Sequence, residues 1–155
     1  MGTIKSSQET ARTNISGAST ALNSLGSGTY VVVGTITHTT NDPLESKLEI
    51  KITPGTVSGN KQVVLFAQAS LDGTNFETGP TSGTTTTDEP NLRYVGVVPC
   101  NTSSGAQTRI FDLAAAYPSG SLPYASKIIA KNDSGAALAA SGNDAWYSEN
   151  WAITA

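Results

Sequence analysis

The strongest constraint on the fold is the alternation of side chains between Leu44 and Ile52. Leu48, Ile50 and Ile52 fall on one side of an extended chain, and the charged residues between them fall on the other. A period of two predicts a β-strand with one face in a core and one in water, which is typical of antiparallel sheets. Pro54-Gly55 is expected to end this strand.

Composition favours strands over helices throughout the 155 residues. Charged residues make up only 14% of the chain, against roughly 25% in ordinary domains, and Thr and Ser take their place. Such a surface suits strands and turns, and no segment predicts a helix long enough to cross between parallel strands. We therefore expect an all-β fold, an antiparallel two-sheet β-sandwich of the jelly-roll type with about eight strands. The other predicted strands are Tyr30–Thr37, Lys61–Ser70, Leu92–Val98, Gln107–Leu113, Tyr124–Asn132 and Ala145–Thr154.

The N-terminal segment is predicted to lie outside this sandwich. After Met1, residues 1–16 carry Ile4 and Ile15 as their only large apolar side chains. These are too few to offset roughly 1–2 kcal/mol of backbone entropy per ordered residue. We therefore divide the chain into a flexible arm, residues 1–16, and a single β-sandwich domain, residues 17–155. The arm is expected to become ordered only on a partner, so its deletion should leave the thermal stability of the sandwich nearly unchanged.

The stretch that follows the arm leaves two interpretations open. Its apolar residues recur at helical spacing, but its glycines, serines and threonines are equally compatible with a short irregular strand. The apolar positions are Ile15, Ala18, Leu22 and Leu25.

Glycine and polar residues mark the expected turns. Asp72-Gly73 lies between strand-like runs and predicts a hairpin, because Gly supplies the positive φ that such turns need. The polar segment Thr78–Asp88 is long for a hairpin connection and predicts a mobile excursion or a loop that faces a partner. Gly96 lies inside a predicted strand, where it indicates a bulge or the close approach of another backbone.

Charge and cysteine content exclude several classes of function. The net charge is −3 and the basic residues are scattered, so we expect no nucleic-acid partner. No apolar run has the length of a membrane span or of a signal peptide. Cys100 is the only cysteine, which fits synthesis in a reducing cytoplasm.

Catalytic candidates are few. His38 is the only histidine, and it lies where a predicted strand enters a polar loop, so we interpret it as a surface-loop residue. Replacing it with Ala is then expected to change neither folding nor function. No family signature surrounds Cys100, which we interpret as a half-buried, unreactive thiol. No enzymatic activity is predicted.

Metal and cofactor sites also find little support. One Cys and one His cannot supply a zinc site, and no glycine-rich nucleotide-binding motif follows a strand. Two groups of oxygen-bearing residues lack the spacing of an EF-hand and are explained by turn chemistry. These groups are Asp72, Asn75 and Glu77, and Asn132, Asp133, Asn143 and Asp144.

Aromatic residues are concentrated in the last strand. Trp146 and Trp151 have opposite parity, so one should face inward and the other outward. Tyr147 shares its parity with Trp151. Aromatic rings mostly fill cores, but the outward tryptophan suggests a partner surface, and a carbohydrate-binding module stays open as an alternative.

Several motifs resemble small virion structural proteins of tailed bacteriophages. The resemblance rests on Phe111–Tyr117, on Leu122-Pro123 and on Lys127–Leu138, an apolar strand that runs into Asn-Asp-Ser-Gly-Ala. The segment Ala69–Phe76 is similar to a hairpin common in phage tail, fibre and head-surface sandwiches. The part of the chain before Ala69 carries no such resemblance.

The resemblance implies a non-enzymatic protein that is made in the host cytoplasm and assembled into the virion. It implies a capsid cement, or decoration, protein that binds the major capsid protein as a homo-oligomer, with a trimer favoured. A component of the tail, baseplate or head fibre is the alternative within the virion. The resemblance carries over no catalytic, cofactor-binding or metal-binding residue.

Overall fold

The chain forms a two-layered β-structure in a computed structural model that describes residues 4–38, 43–57, 61–118 and 120–154. Over these residues there are ten strands, one short α-helix and two 3-10 turns, Glu89–Asn91 and Ala114–Ala116. The strands are β1 (Ile4–Glu9), β2 (Thr13–Asn14), β3 (Tyr30–Thr37), β4 (Glu45–Ile52), β5 (Gln62–Ser70), β6 (Ser82–Gly83), β7 (Arg93–Pro99), β8 (Gln107–Asp112), β9 (Ala125–Asp133) and β10 (Asp144–Thr154), and the helix is α1 (Ala18–Leu22).

The strand order is that of a jelly roll. Sheet A has the order β1-β10-β4-β8, with β2 also paired to β10, and sheet B has the order β6-β3-β9-β5-β7. All pairs are antiparallel. When the two-residue strands β2 and β6 are set aside, the eight long strands lie as first-eighth-third-sixth and second-seventh-fourth-fifth, the double Greek key of jelly-roll proteins. The predicted all-β sandwich is confirmed, and its long strands between Tyr30 and Thr154 begin and end within about two residues of prediction.

One main core fills the space between the two sheets. The alternation predicted for β4 is confirmed, because Leu48, Ile50 and Ile52 are fully buried and the charged residues between them are only partly so. Sheet B closes the core with inward residues of β5 and β9 such as Leu65 and Ile128.

The N-terminal segment belongs to the sandwich, which corrects the predicted arm. Residues 4–9 form β1, the edge strand of sheet A, which pairs with β10. Ile15 is buried in the main core, and its backbone N–H donates to the carbonyl of Ala145 over 2.9 Å. Residues 1–3 lie outside the described part of the chain. The sequence did not indicate this pairing, because the strand that pairs with β1 lies at the other end of the chain.

The ambiguous stretch after the arm is helical, so the alternative of an irregular strand is wrong. Gly17 precedes α1 with a φ of +83°, a conformation that favours glycine. The helix covers one end of the core, and the four apolar residues at helical spacing, Ile15, Ala18, Leu22 and Leu25, are all buried.

The polar segment Thr78–Asp88 is part of a cover over the outer face of sheet B. Its strand β6 pairs with Tyr30 and Val31 of β3, and the turn after it carries Glu89. The Glu89 carboxylate accepts hydrogen bonds from the Tyr30 hydroxyl and, over 2.8 Å, from Lys131. The segment therefore has a packing role that its composition did not indicate. A second, smaller cluster is buried beneath the cover: Tyr30, Val64, Phe66, Leu92 and Ile129.

Gly96 marks a bulge, as predicted, and a close approach of a different kind. The pairing of β5 with β7 shifts between Leu65 and Phe66, opposite Gly96 and Tyr94. A Cβ atom on Gly96 would lie 2.4 Å from the ring of Phe111. It is a side chain of β8, rather than another backbone, that requires glycine here.

Candidate functional site

His38 is buried, so its interpretation as a surface-loop residue is wrong. It directly follows β3, and its backbone N–H donates to the carbonyl of Tyr124 over 2.8 Å. Its Nδ1 lies 2.7 Å from Oε1 of Glu149, and its Nε2 lies 2.8 Å from Oγ of Ser126. His38 does lie at the end of a strand, as predicted. Its ring points inward, where it forms hydrogen bonds with Glu149 and Ser126.

These partners form a chain that we call the His38 network: Tyr117, Ser126, His38 and Glu149. Since a carboxylate only accepts, Nδ1 of His38 carries the proton in the bond to Glu149. In the neutral ring, Nε2 then accepts from the Ser126 hydroxyl, and the Tyr117 hydroxyl donates to Ser126 Oγ over 2.6 Å. Burial raises the pKa of Tyr117, so this donor keeps its proton. Because Ser126 belongs to sheet B and Glu149 to sheet A, the network ties the two sheets together.

The order Ser126–His38–Glu149 is that of a hydrolytic triad, in which a carboxylate orients an imidazole that activates a hydroxyl. Access argues against that chemistry. Ser126, His38 and Glu149 are only 0%, 4% and 6% exposed, and the Ser126 oxygen is also held by Tyr117. A carbonyl carbon therefore has no route to the hydroxyl in this arrangement. The His38 network is instead a structural element inside the core, in which the buried polar groups have hydrogen-bond partners.

Sequence reasoning missed three of the four members. Glu149 shares its parity with Tyr147 and Trp151, and on the inward face of a strand a carboxylate indicates a buried partner. Ser126 is similarly a polar residue within an apolar run. No sequence spacing links either of them to His38.

Above the His38 network lies the hairpin end of the sandwich, which we define by Leu44, Leu71 and Tyr124. Leu71 follows β5 and is 88% exposed, and the other two side chains are also exposed. Tyr124 precedes β9, whose first residue pairs with the last residue of β5. Leu44 precedes β4 and donates its N–H to the carbonyl of Asn150 over 2.7 Å. Of the five large apolar side chains exposed in the described part of the chain, three are at this end.

A groove of about 610 Å³ runs beside the hairpin. Its lining includes Leu71, Phe76 and the ion pair of Glu77 with Arg93. The Arg93 guanidinium lowers the pKa of Glu77 through hydrogen bonds to both carboxylate oxygens. Lys127 lies 3.9 Å from the centre of the Phe76 ring. The groove therefore offers apolar surface between charges that are already paired.

The hairpin itself is held rigidly by Asp72. Its carboxylate accepts hydrogen bonds from the backbone N–H groups of Thr74 and Asn75 over 2.8 and 2.7 Å, and from the Asn75 side chain. These bonds hold the pKa of Asp72 well below its usual range. Ser70 pairs with Phe76 as an isolated bridge, so the predicted turn is present, but no second strand follows it.

The residues considered for calcium are occupied by turn hydrogen bonds. Asn132 is buried and donates to the carbonyls of Leu25 and Ala136 over 2.7 and 2.8 Å. Asn143 is also buried, and its side-chain oxygen accepts from the N–H of Thr53 over 2.7 Å. Among the described residues, no group of three or more His, Cys, Asp or Glu side chains is placed to hold a metal ion.

Cys100 is fully buried, more deeply than predicted. Burial raises the pKa of its thiol to about 11. At neutral pH the side chain is therefore a thiol, which is a poor nucleophile.

Trp146 lies on the outer face of sheet A. The unshifted pairing of β10 with β4 places its neighbour Ala145 in the core, so Trp146 points outward. Its ring is partly covered by Arg12, whose guanidinium lies 3.9 Å from the ring centre and pairs with Glu49 over 2.6 Å. Trp146 therefore faces outward, but its ring does not stand open as a stacking platform.

Comparison with protein-family models, with curated proteins and with solved structures found no match in any of the three. Within the residues that the structure describes, no helix is long and apolar enough to cross a membrane.

Proposed function

We propose that this chain is a non-enzymatic structural protein of a bacteriophage virion, and that it decorates the capsid as a homo-oligomer bound to the major capsid protein. The observation that carries the proposal is that three exposed apolar side chains lie at the hairpin end, the same end of the sandwich as the His38 network. The sequence resemblance to phage virion sandwiches supplies the identity of the partner.

The hairpin end has the properties of a docking surface. Leu71 is almost fully exposed, and leaving such a side chain in water forgoes about 1.5–3 kcal/mol of burial free energy. Exposed apolar side chains concentrated at one end of a molecule are typical of interaction sites. The Asp72 turn preorganises the hairpin, so little entropy is lost when a partner covers it.

Enzymatic and carbohydrate-binding alternatives gain less support. The only serine-histidine-carboxylate arrangement described is sealed in the core, and the outward tryptophan is stacked against Arg12. A tail, baseplate or head-fibre role uses the same sandwich. The gene neighbourhood separates it from capsid decoration: a position beside the major capsid gene favours decoration, and one among tail genes does not.

The test is a co-sedimentation titration with empty capsids assembled from the major capsid protein of the same genome. Wild-type protein should saturate the capsids at a fixed stoichiometry. Leu71→Asp should weaken binding by about 10- to 100-fold, the equivalent of losing one buried leucine. Tyr94→Asp is the control, because Tyr94 is an exposed aromatic residue that lies opposite Phe66 of β5 and is not part of the hairpin end. No binding at micromolar concentration, or equal loss in both variants, would remove the proposal.

A further inference from the structure

β8 is an edge strand of sheet A. β8 pairs with β4 on one side through six residue pairs without a shift, and it ends sheet A on the other side. An edge strand directs alternate backbone N–H and C=O groups away from its sheet, where another strand can pair with them.

The other long edges carry features that discourage pairing. β7 contains a bulge and ends in Pro99, β1 has a register shift between Lys5 and Gln8, and α1 packs against β3. Bulges, prolines and covering elements are the devices by which proteins protect edges. β8 has a regular register and no proline. β7 of sheet B packs against β8 on the core side of sheet A, where the Phe111 ring lies against Gly96, and not on the outer face that carries Ile110.

An apolar side chain sits at the middle of this edge. Ile110 is 63% exposed and lies on the outer face of sheet A, opposite Glu49. Flanking residues Thr108, Arg109 and Asp112 are exposed as well. A regular edge strand with a central exposed isoleucine can pair with a strand of another molecule.

We propose that β8 pairs with β8 of a second copy of this chain, antiparallel about a two-fold axis at Ile110, so that sheet A continues across both copies. In such a sheet, residues opposite each other share a face, which permits an axis at Arg109, Ile110 or Phe111. An axis at Arg109 sets two like charges opposite each other, which is unfavourable. An axis at Phe111 sets Ile110 opposite a carboxylate, that of Asp112.

The axis at Ile110 is the complementary one. It places Ile110 against Ile110 of the second copy, Thr108 opposite Asp112 as donor and acceptor, and Arg109 opposite the ring of Phe111. Because this register is self-complementary, the partner of the β8 edge is a second copy of this chain. A two-fold contact gives a dimer, in place of the trimer that the resemblance favoured.

Sedimentation equilibrium of the full-length protein, without capsids, tests the dimer. Wild type should shift from monomer to dimer with rising concentration, and Ile110→Lys should stay monomeric. Tyr94→Lys, on the edge of the other sheet, should still dimerise. The dimer is measured in solution without capsids, so its absence would leave the proposed binding to the capsid standing, and loss of capsid binding alone would leave the dimer standing.

Cysteine cross-linking tests the register. Under mild oxidation, Ile110→Cys should form a covalent dimer, because residue 110 lies opposite itself, whereas Thr108→Cys should not. The buried Cys100 thiol does not compete. A strictly monomeric wild type, a dimer unaffected by Ile110→Lys, or cross-linking of Thr108→Cys in place of Ile110→Cys would each overturn the proposal.

Discussion

Replacing His38 with alanine is expected to destabilise the protein strongly, contrary to the expectation from sequence. The substitution removes the hydrogen bonds to Glu149 and Ser126. It leaves the Glu149 carboxylate, whose side chain is 7% exposed, without its histidine partner in the core.

The magnitude follows from this unpartnered carboxylate. Removing one member of a buried ion pair or charged hydrogen bond costs about 3–5 kcal/mol, a large part of the roughly 5–15 kcal/mol that holds a typical domain folded. For a chain of this length each kcal/mol lowers the thermal midpoint by about 2–4 °C, so His38→Ala should lower it by about 10 °C.

Urea denaturation followed by tryptophan fluorescence measures the free energy of unfolding. Adding Glu149→Gln to His38→Ala should recover part of the loss, because the second change removes the buried charge. Glu49→Gln is the matched control on the outer face of the same sheet. Its ion pair with Arg12 is partly exposed and should contribute no more than about 1 kcal/mol. If His38→Ala lowers the free energy of unfolding by less than about 0.5 kcal/mol, the usual range for surface substitutions, the stabilising role of the His38 network is refuted.

Three further predictions concern other parts of the sandwich. Gly96→Ala should destabilise by about 1–3 kcal/mol in the same assay, because its Cβ would collide with the Phe111 ring, and a neutral effect would contradict that packing. Cys100 should resist iodoacetamide at pH 8 until urea unfolds the chain, since its thiol is buried with a raised pKa, and rapid labelling of native protein would be the contrary result. Arg93 lowers the pKa of Glu77 in the folded state, so this stabilisation is complete above the unfolded pKa of about 4.3 and is lost as pH falls through the folded pKa. The thermal midpoint of Glu77→Gln should therefore lie below that of wild type at pH 7 and approach it at pH 3, and a constant difference would contradict the assignment.

The strands could be predicted from sequence because each is encoded locally. The alternation of Leu48, Ile50 and Ile52 needs no knowledge of partners. The jelly-roll order of the strands is a tertiary property: β1 and β10, at opposite ends of the chain, become neighbours. The polar N-terminal segment was predicted to lie outside the sandwich, because its pairing with β10 cannot be inferred from its own composition.

The candidate site was harder to predict for the same reason. His38 and Glu149 are 111 positions apart, so only the folded chain shows that each has a partner. The polar residues around His38 favoured a surface loop, but hydrogen bonds to residues far away in the sequence hold its side chain in the core. The turn at Asp72-Gly73 could be predicted because it is a local signal, although no second strand follows it. The placement of Leu71, Leu44 and Tyr124 at one end of the sandwich depends on the fold.

The most direct test of the proposed capsid role is electron cryomicroscopy of empty capsids saturated with the wild-type protein. The account predicts added density of sandwich shape that contacts the capsid lattice through the hairpin end, with Leu71 and Tyr124 covered. The opposite end, where Pro54 and Leu138 form a bridge, should point away from the lattice. Capsids without added density, or a sandwich attached through the Pro54 end, would contradict it.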